Sequence, residues 1–242
     1  MKIGLLGYGK MGHAIEKIAV GQDVEIIWRI GSKNLQERTP ETLRLADVVI
    51  EFSRPEAAFD NVQACLNAGV PVVSGTTGWT QQLAAAHQIC REQNSAMIWA
   101  SNFSIGVNLF FALNKYLTKL LATQPQYIPS LTEIHHIHKL DAPSGTAITL
   151  ANDLIAHHPD YSGHFLAGDS SNHDGPNIPI YAIREGEVPG THIIKWQSPV
   201  DAITIEHQAH TREGFALGAL TAARWLAGKK GVFTMADVLS IK

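Results

Sequence analysis

The sequence predicts an α/β protein: a doubly wound parallel sheet, followed by a smaller α+β domain with an open mixed sheet. Three observations carry this. A short apolar run at Lys2–Leu6 ends in Gly7-Tyr8-Gly9-Lys10-Met11-Gly12 and leads into a helical stripe of Met11, Ile15, Ile18 and Ala19. Apolar runs and helical stripes then alternate as far as Ala100, the pattern of parallel strands joined by right-handed crossovers. Beyond Pro179, three β-like segments follow one another directly: Ile180–Arg184, Thr191–Gln197 and Ala202–His210.

The first glycine turn has a chemical reading. Gly7 permits the tight turn, Gly9 lets backbone amides approach a pyrophosphate, and Gly12 lets the helix pack close to the strand. The free N–H groups and dipole of the helix N-terminus favour an anion there. A Rossmann-like dinucleotide-binding domain is therefore expected, with Gly7, Gly9, Lys10, Met11 and Gly12 at the cofactor. The second strand, Val24–Ile30, runs into Gly31-Ser32-Lys33. NAD-preferring folds usually place Asp or Glu at this point, on the adenosine ribose. Without that carboxylate a 2′-phosphate is not repelled, and Ser32, Lys33 and Arg29 are candidate ligands for it. NADPH is favoured over NADH.

The third strand, Ala46–Phe52, ends at Ser53-Arg54-Pro55, and its helix carries Ala57, Ala58, Val62, Cys65 and Leu66 as far as Gly69. The fourth, Pro71–Ser74, runs into Gly75-Thr76-Thr77-Gly78, and the fifth, Ala96–Ala100, into Ser101-Asn102-Phe103-Ser104. Ligands of such sheets lie beyond the carboxyl ends of the strands. Phe52, Ser53, Gly75, Thr76, Thr77, Ser101, Asn102 and Phe103 therefore join the cofactor set.

From Ser104 the pattern changes. A long apolar helix is expected from Ile105 to about Leu121, then a strand reaching Glu133–His136, then a helix from Ser144 with Ala147, Leu150, Ala151, Leu154 and Ile155 on its stripe. The polar, Gly/Ser/His-rich stretch His157–Pro179 reads as a loop. A last helix, Phe215–Leu226, and the stretch Val232–Ile241 return to the first domain. The expected division is residues 1–102 with 213–242 as the dinucleotide-binding domain, and 103–212 as the second domain.

Bulk properties narrow the class. The 242 residues, 45% of them apolar, suffice for two modest domains. A net charge of −3 gives no global positive field for nucleic acid. Two cysteines make no disulfide framework, and Cys65 and Cys90 read as buried apolar residues in a reducing compartment. The N-terminal apolar run is too short for a signal segment, and no window approaches a membrane span. A cytoplasmic enzyme is expected.

The chemistry concentrates in Glu133-Ile134-His135-His136-Ile137-His138-Lys139-Leu140-Asp141-Ala142-Pro143-Ser144-Gly145-Thr146-Ala147. Strand alternation puts Glu133 and His135 on one face and Ile134 and His136 on the other. His135, with a carboxylate beside it, is a candidate proton donor. Lys139 can return to the same place as a second donor or a carboxylate clamp if the chain turns after His136. Ser144 or Thr146 would cap the following helix, whose exposed amides suit a carboxylate. A metal site is not expected, because adjacent strand histidines diverge, no cysteine joins them and no His-Glu-x-x-His occurs.

These motifs resemble the dihydrodipicolinate reductase family: the N-terminal Gly-x-Gly-x-x-Gly, Glu-x-His-His-x-x-Lys-x-Asp-Ala-Pro-Ser-Gly-Thr-Ala, Gly75-Thr76-Thr77-Gly78, the Asn-Phe-Ser-x-Gly-Val at Asn102, and Arg184-Glu185-Gly186-Glu187-Val188-Pro189-Gly190-Thr191-His192. The resemblance runs from Lys2 to beyond Phe215. It implies NAD(P)H-dependent reduction of 4-hydroxy-tetrahydrodipicolinate in lysine and diaminopimelate biosynthesis, in a bacterium or plastid. It further implies hydride delivery to ring C4, closure of two domains, and a homotetramer built through the second domain's sheet. By resemblance, His135 is the proton donor or its relay and Lys139 its essential partner. His136, Ser144, Gly145 and Thr146 bind the substrate carboxylates, and Arg212 matches a family arginine near the hinge. Gly31 departs from the Asp or Glu of many members, which favours NADPH. Another amino-acid or sugar dehydrogenase of this fold is opposed by the Ser-Gly-Thr cradle and the paired histidines. A non-catalytic nucleotide sensor is opposed by His135 and Lys139.

Overall fold

The computed structural model describes residues 1–168, 175–211 and 213–241. In chain order the elements are β1 (Lys2–Leu6), α1 (Lys10–Ala19), β2 (Glu25–Ile30), α2 (Pro40–Leu43), β3 (Val48–Glu51), α3 (Pro55–Asn67), β4 (Val72–Ser74), α4 (Leu83–Glu92), β5 (Ala96–Trp99) and α5 (Ile105–Leu121). They continue with β6 (Ile128–His135), α6 (Gly145–His157), β7 (Gly163–Leu166), β8 (Asn177–Arg184), β9 (Thr191–Gln197), β10 (Ala202–Gln208), α7 (Glu213–Leu226), β11 (Gly231–Phe233) and α8 (Met235–Val238). Packing divides the chain into two units, Met1–Asn108 with Glu213–Lys242, and Leu109–Arg212.

The first unit holds a six-stranded sheet of order β11-β5-β4-β3-β1-β2. Every adjacent pair is parallel. Its strands read as unbroken apolar runs because both faces are covered. Ile3, Leu5, Val48, Ile50, Val73 and Ile98 face α1 and α7 through Ile15, Ala19, Ala216, Ala219, Leu220 and Ala223. On the other side Leu6, Trp28, Val49, Val72 and Met97 meet Ala58, Val62, Leu66 and Ala86 of α3 and α4, together with Cys65 and Cys90. Both cysteines are free and buried, and burial pushes the Cys65 thiol up. The strand order reverses between β1 and β3, which places the strand-end loops of β1, β3 and β4 side by side.

The second unit holds a mixed sheet of order β10-β9-β6-β8-β7. β6–β8 and β7–β8 are parallel, while β6–β9 and β9–β10 are antiparallel. The reading of His157–Pro179 as a loop is corrected here. Gly163–Leu166 is an edge strand on β8, and β8 begins at Asn177 rather than Ile180. A four-residue strand set among Gly, Ser and His has too short an apolar run to show in a single sequence. Inward residues Leu131, Ile178, Ile180, Ile194 and Trp196 pack against Ala147, Leu150, Ala151 and Leu154 of α6 and against Phe110 and Leu121 of α5. Glu133 and His135 continue the buried face of β6 beyond Leu131. No helix among the described residues is long and apolar enough to cross a membrane.

Gly218 shows how close the first unit's packing is. A Cβ there would lie 1.7 Å from the Phe103 carbonyl oxygen. Alanine in place of a mid-helix glycine ordinarily stabilises by up to about 1 kcal/mol. Here the overlap with fixed backbone dominates, so we expect Gly218→Ala to lower stability by about 1–3 kcal/mol. Urea denaturation reads this, and an unchanged or raised midpoint would contradict the packing.

Candidate functional site

Two clusters of functional groups are built, one in each unit. In the first unit, Gly7 turns the chain with φ of +90°. A Cβ on it would lie 1.9 Å from the Phe52 carbonyl oxygen, and one on Gly75 would lie 2.0 Å from the Phe52 ring. A Cβ on Gly12 would come 2.6 Å from the Gly7 carbonyl oxygen, whereas Gly9 faces open space. Gly9 caps α1 without a side-chain hydrogen bond, so the first-turn amides are left to a ligand. The adjoining cavity, about 320 Å³, is lined by Gly9, Lys10, Met11, Phe52, Ser53, Pro55, Gly75, Thr76 and Thr77. A helix N-terminus without a side-chain cap, facing open space at Gly9 and walled by turns that admit no Cβ at Gly7, Gly12 or Gly75, fits a pyrophosphate.

The other expected cofactor residues are placed differently. Ser32 and Lys33 are exposed in the turn after β2. That turn is closed by Asn34, which accepts from the Gly31 amide at 2.8 Å and donates to the Arg29 carbonyl at 3.0 Å. The Arg29 guanidinium is already engaged: it pairs with Glu16, which also accepts from the Tyr8 hydroxyl. Arg29 holds the Glu16 carboxyl below its ordinary range. Arg29 therefore braces β2 against α1, and Ser32 and Lys33 are the exposed polar side chains of that turn. Ser101 is exposed, and the Asn102 side chain accepts from the Ser104 amide at 2.9 Å. The Phe103 side chain is core, 1% exposed, so only its backbone can serve a ligand.

In the second unit the centre is Glu133, which is fully buried. Both its oxygens accept from the Ser144 amide at 3.1 Å. Arg184 donates to it at 3.3 Å. His135 Nδ1 faces it at 3.5 Å and His192 Nε2 at 3.9 Å. The Ser144 hydroxyl accepts from the Ala147 amide at 3.2 Å, capping α6, and lies 3.2 Å from His192 Nε2. Of the two capping candidates, Ser144 is therefore the one that caps. Gly145 is exposed and Thr146 half-buried at the start of the helix. Gly190 leaves room beside His135, where a Cβ would come 3.1 Å from Nε2.

After β6 the chain turns, with the Lys139 amide donating to the His136 carbonyl at 3.1 Å. The Lys139 ammonium pairs with Asp141 at 2.7 Å. Arg184 fastens this turn, donating to the Lys139 carbonyl at 3.2 Å and the Asp141 carbonyl at 2.6 Å. His136 is half-buried, with Nδ1 lacking a hydrogen-bond partner. His138 is exposed and paired with Glu187 at 3.1 Å. Arg212 lies outside the described residues.

Sequence reasoning missed His192 and Arg184 as members of this cluster. Their membership follows from strand register: Glu133 pairs with His192, and His135 with Arg184. The only available signal was their place in the Arg184–His192 motif. Glu133, His135 and His192 form a buried trio whose nitrogens and oxygens lie within 4.8 Å of one another. Within the trio, Glu133 accepts from Arg184 and the Ser144 amide and His192 meets the Ser144 hydroxyl, while His135 Nδ1 is buried without a hydrogen-bond partner. Its electrostatics favour uncharged rings. Burial holds His135 below the ordinary imidazole range, opposed by Glu133. Burial, with His135 and His207 nearby, pushes His192 down to about 3.

Residues 1–103 match the family described as dihydrodipicolinate reductase, N-terminus, and residues 106–239 its C-terminus. A 4-hydroxy-tetrahydrodipicolinate reductase of Christiangramia forsetii is 46% identical over 240 residues, covering 99% of this chain and 98% of that one. The chain belongs to the dihydrodipicolinate reductase family. A second reductase of that name, from Ralstonia pickettii, is 33% identical over 92% of this chain and 86% of its own. The fold agrees with a dipicolinate-bound dihydrodipicolinate reductase from Paenisporosarcina sp. TG-14: TM-score 0.78, 22% identity, 98% of each chain covered. The Rossmann-like sheet and the second mixed sheet are thus those of a dihydrodipicolinate reductase.

The depressed histidines set a pH dependence. As pH falls through 6.5, the ordinary imidazole value, the unfolded chain takes up protons that the folded His192 refuses until about 3. The unfolded state then binds more protons, so stability falls with falling pH across that window. We expect urea midpoints to drop from pH 7 to pH 5, and His192→Gln to drop less steeply than the native chain. Equal slopes would mean that His192 is not the buried neutral group.

Proposed function

We propose that this chain catalyses the NAD(P)H-dependent reduction of 4-hydroxy-tetrahydrodipicolinate in diaminopimelate and lysine biosynthesis, in the cytoplasm. The carrying observation is the Glu133-centred cluster, in which a buried carboxylate holds the N-terminus of α6 and lies 3.5 Å from His135 Nδ1. Family membership supports the same reaction. The first unit, taken as residues 1–102 with 213–242, is the dinucleotide domain, and residues 103–212 form the substrate-binding and oligomerisation domain.

When bound, the nicotinamide supplies a hydride to ring C4. The chain's own groups do the rest. The Gly145 and Thr146 amides at the start of α6, with His136 and Ser144, hold the substrate carboxylates, since the positive end of a helix dipole attracts anions. Lys139, half-buried and paired with Asp141, is the ammonium nearest this cradle in sequence and the source of the proton. His135 is better suited to relaying a proton than to storing one, because burial favours its neutral form. On the nucleotide side, Gly7–Gly12 and Gly75–Thr77 seat the pyrophosphate, with the Ser101–Phe103 backbone and Ser53 completing the site. Ser32 and Lys33, with no carboxylate at Gly31, favour the 2′-phosphate of NADPH.

The outer face of the second sheet supports a homotetramer. Ile128, Tyr181 and Ile183 are exposed there at 63%, 48% and 42%, beside Ile134, which pairs with Ile183. An apolar sheet face of this kind is the material of an interface.

The test is loss of nicotinamide absorbance with substrate generated in situ. We expect turnover with both nucleotides, a lower KM for NADPH, and a tetramer by light scattering of the assayed sample. His135→Gln and Lys139→Ala should each lower kcat by about 10²–10⁴-fold, with nucleotide affinity unchanged. No turnover in the native chain would overturn the reading, and parallel loss of nucleotide affinity would overturn the assigned roles.

A further inference from the structure

One buried carboxylate is absorbed by neither the glycine cradle nor the proton-transfer cluster. Glu51, the last residue of β3, is fully buried in the first unit. It accepts from the Ser74 hydroxyl at 2.6 Å and the Thr76 hydroxyl at 2.8 Å. It also accepts from the Ser53 amide at 3.0 Å and from the Ser53 hydroxyl. The Ser53 amide is shared with Thr76 Oγ1 at 2.8 Å, and Asn61 reaches the Ser53 hydroxyl at 3.1 Å. The Thr76 carbonyl is fixed in turn by the indole N–H groups of Trp79 and Trp99, at 2.8 and 2.9 Å. No cation pairs with Glu51 among the described residues.

A bare buried carboxylate in a sheet core is costly unless its hydrogen bonds are needed. Here every donor comes from Ser53, Ser74 or Thr76, and Ser53 and Thr76 line the cavity at the N-terminus of α1. We propose that Glu51 is a positioning residue for the nucleotide: it ties the Phe52–Ser53 and Gly75–Thr77 loops into one rigid wall of the cofactor cavity. This rests on the nucleotide-binding reading given above. Glu51 touches no ligand itself.

Two effects of neutralising it have opposite signs. Removing a negative charge near a pyrophosphate would tighten binding by relieving repulsion. Replacing the carboxylate by an amide would loosen the wall: with the amide oxygen kept toward Ser53 and Thr76, the Ser74 hydroxyl must reverse to accept from its N–H, and in the other orientation the Ser53 amide faces an N–H. Burial raises the Glu51 carboxyl above its ordinary range, opposed by the Ser53, Ser74 and Thr76 donors, which limits the repulsion that neutralising it can relieve, so the loosening dominates.

The experiment is direct binding of NADPH, by quenching of tryptophan fluorescence, to the native chain, Glu51→Gln and Ser74→Ala, alongside steady-state kinetics. We expect Glu51→Gln to weaken NADPH binding and raise its KM by about tenfold or more. Ser74→Ala, which removes one donor outside the cavity lining, should move both the same way and by less. In both variants kcat at saturating NADPH and the affinity for pyridine-2,6-dicarboxylate should be unchanged. Native binding with equal or tighter binding by Glu51→Gln overturns the role while leaving the nucleotide reading intact. Equal losses in nucleotide and dicarboxylate affinity also overturn it, because they report general loosening. Failure of the native chain to bind NADPH or NADH removes both readings.

Discussion

Everything in the second unit's chemistry depends on one buried carboxylate. Glu133 has no exposed surface, yet four elements converge on it: β6 carries it, the start of α6 donates the Ser144 amide, β8 sends Arg184, and β9 sends His192. Burying a charge costs several kcal/mol before compensation. The donors offset that cost, and in doing so they fix where a helix begins, where a turn sits and how an imidazole faces. The arrangement turns a flexible 133–146 segment into a preorganised surface of aligned amides and one held histidine. Such preorganisation is what proton transfer and carboxylate binding require.

The first unit solves a related problem with less charge. Its cradle is shaped by absences: Gly7, Gly12 and Gly75 leave space that backbone and the Phe52 ring occupy to within less than 3 Å of any added Cβ. Lys10 is the cation among the residues lining the cavity at the α1 N-terminus, since Arg29 is paired with Glu16. On the proposed nucleotide reading, the amides and the helix dipole add to Lys10 a fixed field that needs no side-chain ordering. Both units therefore bring a helix start to the centre of their cluster, one capped by Ser144 and one opened by Gly9.

Much of this was legible in the sequence. Unbroken apolar runs followed by helical stripes announce a parallel sheet covered on both faces, and β1 to β5 lie where those runs fall. The Pro-Ser-Gly-Thr turn announced a helix start, and Ser144 caps it. What stayed hidden was contact across register. His192 and Arg184 lie 59 and 51 residues from Glu133, and only the pairing of β6 with β9 and β8 brings them to it. β7 was hidden for a different reason: four residues in a polar stretch gain their strand character from β8 beside them. The pairing of Arg29 with Glu16 was hidden as well, because charge complementarity with a residue of α1 cannot be seen from a strand's own sequence.

The claim that Glu133 organises the dicarboxylate site is open to one direct measurement. Calorimetric titration of pyridine-2,6-dicarboxylate into the native chain and into Glu133→Gln separates the carboxylate's role from the fold's. The amide keeps the shape but no longer offers two acceptors to the Ser144 amide and Arg184. We expect dicarboxylate affinity to fall by about tenfold or more while NADPH affinity stays at the native value. Unchanged dicarboxylate affinity in Glu133→Gln would contradict the account at its centre.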